Sequence, residues 1–250
     1  MMEENVQKKP NPSLGESFGK GWDVMKKYFL PLLLVVFVLG LIMGPTQIFH
    51  WHFGPGDHGP CNWRIPDWRL HNLGLIALGM ATAVFGLFAL AYAFLIIPVF
   101  KYGGRMMFVQ AVRDTRPDFN MLVSGFRQRY LNIVLANLLT TALVMLGVIA
   151  LLVPGIIIAC RLAFVGFLVM DKKLDPINAV EESWRMTRGH GWTIFFMAIL
   201  SFFIIIGGLC LVFVGVFPAA IWIGSSFASL YEAVLVDKGL KGVAVETTAN

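Results

Sequence analysis

Residues 153–192 read VPGIIIACRLAFVGFLVMDKKLDPINAVEESWRMTRGHGW. An apolar run follows Pro154-Gly155, holds one arginine, Arg161, and ends at Asp171. After a short polar turn, Asp175-Pro176 opens a helix, because proline's fixed φ suits a first helical position. Ile177, Val180, Trp184 and Thr187 share one face of that helix. Glu181, Glu182, Arg185 and Arg188 lie off it, which is the pattern of an amphipathic helix. Gly189 and Gly191 stop it, and Trp192 starts another apolar run. Apolar segment, capped amphipathic helix and apolar segment in succession predict an all-α, polytopic membrane bundle.

The rest of the chain has the same character. Of 250 residues, 57% are apolar and only 14% charged, with a mean hydropathy of +0.72. Soluble domains usually carry about 25% charged residues. So little charge cannot coat a globule in water, so the bilayer is the expected solvent. Six spans are predicted, at about 29–49, 73–100, 131–153, 156–170, 192–212 and 218–236. Pro154-Gly155 is expected to break the third from the fourth.

Residues 1–12 read as a disordered N-terminus, 13–236 as one membrane domain, and 237–250 as a polar tail. No early apolar run precedes a small-residue cleavage site, so no cleavable signal peptide is expected. Of the twenty lysines and arginines, only Arg64 and Arg69 fall in the loop 50–71, and Arg161 alone lies within a span. The others all fall on the opposite side. That asymmetry predicts both termini in the cytoplasm, as for a bacterial inner-membrane protein.

Two more stretches resemble the helix that opens at Asp175. Ser13 begins SLGE, a capping box, and Asp118 follows Pro117. Each of the three is followed by a small residue and then an aromatic: Gly21-Trp22, Gly125-Phe126 and Ser183-Trp184. A pair of spans follows each. The chain therefore reads as three copies of "interfacial helix, span out, span back", an internal repeat of the kind common in membrane proteins. The alternative is that any cytoplasmic loop between hairpins becomes a capped amphipathic helix. Trp22, Phe126 and Trp184 are the expected interfacial anchors, with basic neighbours meeting anionic lipid.

The Pro-Gly, the arginine after it, Asp171, the Ser-Trp pair and the SLGESFGKGWDVMKK start together resemble a loosely defined superfamily of bacterial six-helix inner-membrane proteins. That group includes the membrane domain of some glycerophosphodiester phosphodiesterases. The resemblance covers most of the chain apart from 50–71. It implies an architecture and a location, and no activity. The catalytic phosphodiesterase domain of the fused members has no counterpart here.

Arg161 is the first candidate site residue. A charge in hydrocarbon costs at least about 2.5–3.5 kcal/mol on insertion scales, so it should face protein or water. It serves either as a structural clamp or as a site for an anionic headgroup or solute. Glu232 is the candidate partner. Asn132, Asn137, Thr140 and Thr141, with Ser225, Ser226 and Ser229, could complete a polar interior.

In the loop, His50, His52, His58 and Cys61 offer ligand types for zinc or copper, at spacings that match no strong pattern. Cys160 and Cys210 lie in apolar segments, and no disulfide framework follows. No basic run with interleaved aromatics suggests nucleic acid. No carboxylate pair, phosphate loop or nucleophile set points to catalysis; Glu181-Glu182 reads as a solvated face. The expectation is a non-enzymatic protein without a cofactor. Its partners are the bilayer, anionic lipid at the cytoplasmic face and another membrane protein, in a membrane-organising or partner-binding role. A transporter or lipid-handling protein is the alternative, and an outer-face metal protein the second.

Overall fold

The computed structural model describes residues 12–52, 68–210 and 215–240. Among them there is helix and no strand. Among the described residues, five helical stretches are long and apolar enough to cross a membrane, and a sixth follows if the bent pair Leu14–Lys27 and Phe29–Gly44 counts as one span. The described part of the chain is therefore all-helical, with several helices of the length and composition that suit a membrane.

The N-terminal pair is α1 (Leu14–Lys27) and α2 (Phe29–His52). Ser13 caps α1, its Oγ accepting the Glu16 N–H at 3.3 Å. Tyr28 leaves helical geometry, and α2 departs at 97° to α1. Next come α3 (Trp68–Leu95) and α4 (Ile97–Val112). The junction falls at Ile96, because Pro98 cannot donate to the preceding turn and its ring crowds it. The short α5 (Asn120–Gln128) follows, with Asp118 Oδ1 accepting the Asn120 N–H at 3.0 Å.

The helix α6 (Tyr130–Ala150) ends one turn earlier than expected, because the break lies at Leu151, which is fully extended (φ −170°, ψ 148°). Pro154 instead sits in the first turn of α7 (Leu152–Arg161), where helical N–H groups have no partner to lose. Gly155 has a packing role. A Cβ there would stand 2.8 Å from the Val148 backbone nitrogen. The glycine lets α7 fold back tightly on α6. A second turn, at 162–164, separates α7 from α8 (Val165–Asp171), so the fourth apolar segment is two helices rather than one. Then follow α9 (Pro176–Met186), α10 (Gly191–Cys210) and α11 (Val216–Asp237). Gly189 makes the turn between α9 and α10 with φ +91°, which few side chains tolerate.

The helices form two zones. In one, large apolar side chains point outward: Phe85, Phe88, Ile149 and Phe202 are all more than 60% exposed. Water would penalise such faces and hydrocarbon would not. In the other, residues 97–112, 162–169 and 228–235 are mostly buried, together with one face of each of α1, α5 and α9. Phe164, Leu168, Met186, Leu230 and Tyr231 are its fully buried centre. Tyr231 stacks on Phe167 at 5.0 Å and lies 5.6 Å from Phe164.

The three amphipathic helices belong to this second zone. They were expected to lie on lipid, yet each packs an apolar face on protein. α5 packs on α4, the helix before it in the chain. α9 packs on α8 and α6. α1 packs along α11, far from it in the chain. Small residues allow each approach. A Cβ at Gly21 would lie 2.8 Å from the Ser226 nitrogen, and one at Gly125 would lie 2.8 Å from Val99 Cγ1. Ser183, wholly buried, donates to the Arg161 carbonyl at 2.8 Å. Close helix contact at glycine and serine is how membrane helices gain van der Waals energy.

Candidate functional site

The aromatics at the three contacts set the frame for the site. Trp22 meets Trp222 edge-on, with ring centroids 5.1 Å apart. Phe126 meets Phe100 edge-on at 5.2 Å. At the third contact, the guanidinium of Arg161 lies over the Trp184 ring at 5.7 Å. Arg161 therefore stands where the other two contacts have an aromatic ring. Trp22, Phe126 and Trp184 are each a little over one-third exposed, so each anchor rests partly on protein.

Beside Arg161 the packing opens. A cavity of about 490 Å³ lies between α7, the Gly189–Gly191 turn and the start of α10. Val153, Ile156, Ile157 and Cys160 line one side, with Trp192 and Phe195 opposite. Among the described residues, Arg161 supplies its only charged lining group. Its Nη1 is buried and, among the described residues, meets no hydrogen-bond acceptor. Its backbone is held firmly, since the Arg161 carbonyl accepts from both Ser183 and Thr187 (2.8 and 3.4 Å). A stacked ring offsets about 0.5–2 kcal/mol of the cost of burying this cation. It accepts no hydrogen bond from Nη1. The arrangement suits an amphiphile with an anionic end. A second groove, about 560 Å³, lies across Trp192 towards Leu14, with no charged lining residue.

Glu232 is not the partner of Arg161. It pairs with Arg113, whose Nε lies 2.6 Å from Glu232 Oε1. Arg113 also grips Asp171 with both terminal nitrogens, at 2.7 and 2.8 Å. Tyr231 donates to the same Asp171 carboxylate at 2.9 Å. The knot joins the ends of α4, α8 and α11. Burial pulls the Arg113 guanidinium pKa down. The hydrogen bonds that Arg113 donates to the Asp171 and Glu232 carboxylates outweigh it and raise the guanidinium above the ordinary arginine range. Arg113, Asp171 and Tyr231 were missed as site residues in the sequence. The available signal was the spacing of Gln110, Asp171 and Glu232, which stand at the same remove after Phe100, Arg161 and Trp222.

The other candidates are dispersed. No hydrogen bond joins Asn137 to Arg161; the Asn137 carbonyl accepts from Thr141 at 2.7 Å. Asn132 donates to Asp175 at 3.0 Å, so the Asp175 side chain faces α6 and makes no helix-capping bond. Ser226 bonds the Trp222 carbonyl within its own helix. Glu182 pairs with Arg185 on an exposed face. His58 and Cys61 lie outside the described residues, while His50 and His52 belong to the last turn of α2. No protein-family model, curated protein or solved structure matches this chain.

Proposed function

We propose that the protein is a multi-pass membrane protein that holds an anionic amphiphile from the bilayer, with the charged end at Arg161. It would sit in a bacterial inner membrane with both termini cytoplasmic, as the lysine and arginine asymmetry supports. The observation that carries the reading is the buried, acceptor-less Nη1 of Arg161 beside a cavity lined otherwise by apolar side chains and glycine backbone. A headgroup phosphate or carboxylate would accept from Nη1, and its chain would lie along Ile156, Ile157 and Phe195. Holding a lipid in this way is a membrane-organising role and needs no covalent chemistry.

The three-unit repeat supports the same reading. If Arg161, Phe100 and Trp222 are equivalent positions, two units are filled by aromatic pairs. The third has exchanged a ring for a cation and gained a cavity. The resemblance to the six-helix superfamily agrees with this architecture and adds no activity.

The test is lipid retention by the purified full chain, read by mass spectrometry from a mild detergent. The native protein should retain an anionic phospholipid. Arg161→Gln should lose it, and so should Ile157→Trp, which fills the cavity and leaves the charge. Equal retention by all three proteins would overturn the reading.

A further inference from the structure

Two cations on α4 have no counter-charge among the described residues. Lys101 and Arg105 stand one helical turn apart, on the same face. Neither makes a hydrogen bond or ion pair among the described residues. Two carboxylates on neighbouring helices, Asp171 and Glu232, are engaged by Arg113. Lys101 is exposed, and Arg105 is partly buried.

The Arg105 guanidinium is nonetheless held in place. It lies 5.6 Å from the Tyr102 ring and 5.5 Å from the Phe167 ring. It also rests against Gly166, where a Cβ would collide with its Nη1. These contacts fix its plane and leave its donors unused. The depth is right for a headgroup. Outward-facing apolar side chains continue to Leu95, and the mostly buried stretch 97–112 begins at Ile97. About 20 residues at about 1.5 Å each cross a hydrocarbon core of about 30 Å. The helical stretch from Trp68 to Val112 is longer than that, and Lys101 and Arg105 follow Leu95, near the boundary.

Two like charges one turn apart destabilise a helix, and a low-dielectric boundary makes each more costly. We propose that Lys101 and Arg105 together bind an anionic phosphate group, with Arg105 preset by Tyr102, Phe167 and Gly166 and Lys101 closing from the exposed side. The phosphate belongs either to an anionic lipid headgroup or to a free anion. The site stands on residues separate from the Arg161 cavity, so either proposal can fail alone.

The experiment uses the full chain in a maltoside detergent, which carries no phosphate. Phosphatidylglycerol is titrated in one arm and inorganic phosphate in the other. Native mass spectrometry counts bound lipid, and the thermal midpoint is followed in both arms. The Lys101→Gln/Arg105→Gln variant should bind one phosphatidylglycerol fewer than the native chain, while Arg161→Gln keeps the lipid at this site. Gly166→Ala retains both charges but displaces the guanidinium, and should show the same loss. It serves if the double variant folds poorly. A rise in midpoint with inorganic phosphate that is absent from the double variant would assign the site to a free anion. Undiminished lipid binding in both variants, with an unchanged phosphate response, would overturn the proposal.

Discussion

Arg113 and Asp171 form a two-pronged ion pair between the ends of α4 and α8, with parallel contacts of 2.7 and 2.8 Å. The Asp171 side chain is only 7% exposed and that of Arg113 is 32% exposed. With Glu232 on the same guanidinium, one cation neutralises two nearly buried carboxylates on separate helices. The pair is a cross-link between segments that share no loop.

Removing the cation should therefore cost more than removing one acid. Arg113→Gln removes the one cation that Asp171 and Glu232 share. Breaking a buried pair from one side costs about 3–5 kcal/mol, and partial exposure of Arg113 puts the expected loss near the lower figure. Adding Glu232→Gln should recover part of it. Denaturant unfolding of the three proteins in one detergent checks both statements. An unchanged midpoint for Arg113→Gln would remove the knot from any account of stability.

Two glycines on α1 should respond to alanine with opposite signs. At Gly21 the new Cβ would press on the Ser226 backbone, 2.8 Å from its nitrogen and 2.9 Å from its Cα. That overpacking should cost about 1–3 kcal/mol. At Gly19 nothing lies within 4 Å. There alanine should gain up to about 1 kcal/mol of helix propensity. Thermal melts of Gly21→Ala and Gly19→Ala, compared with the native chain, decide the point.

Ser183→Ala removes a wholly buried hydroxyl and its bond to the Arg161 carbonyl. The expected loss is about 1 kcal/mol, since Thr187 remains within reach of the same carbonyl. A fall in midpoint should come with weaker retention of the Arg161 ligand, because Ser183 positions that residue. Loss of stability with full retention would separate the two roles.

Threading across the membrane is open to direct labelling. Arg185 lies on the exposed face of α9, its side chain 66% exposed. In a background without Cys61, Cys160 and Cys210, Arg185→Cys should react with a membrane-impermeant maleimide only after cells are opened. Labelling of intact cells would reverse the orientation.

Much of this was legible in the sequence because it depends on local pattern. The Ser13 cap, the amphipathic faces and the long apolar runs all follow from neighbours a few residues apart. The small-plus-aromatic pairs at Gly21-Trp22, Gly125-Phe126 and Ser183-Trp184 did mark helix contacts. Their partners Trp222, Phe100 and Arg161 were not foreseeable, because nothing local says which helix a face will meet. The same limit misassigned Glu232. Its depth matched no arginine until the turn at 162–164 set Arg161 apart from Asp171 and the bend at Ile96 placed Arg113. Pro154-Gly155 was misread for a different reason. Proline and glycine break helices in isolation, but proline is at home in a first turn and glycine allows close packing.

The contact between α1 and α11 also bears on the order of events at the ribosome. Trp222 Nε1 donates to the Phe18 carbonyl across 204 positions of chain. At roughly 5–20 residues per second, α1 emerges about 10–40 s before its partner exists. During that interval Phe18 lacks the Trp222 ring that it packs on in the finished fold, and the headgroup layer is the available shelter. Amphipathicity in α1 thus serves the nascent chain first and the finished protein second. A chain cut short before α11 would leave that first helix permanently on the membrane surface, exposed to proteases that clear unfinished proteins.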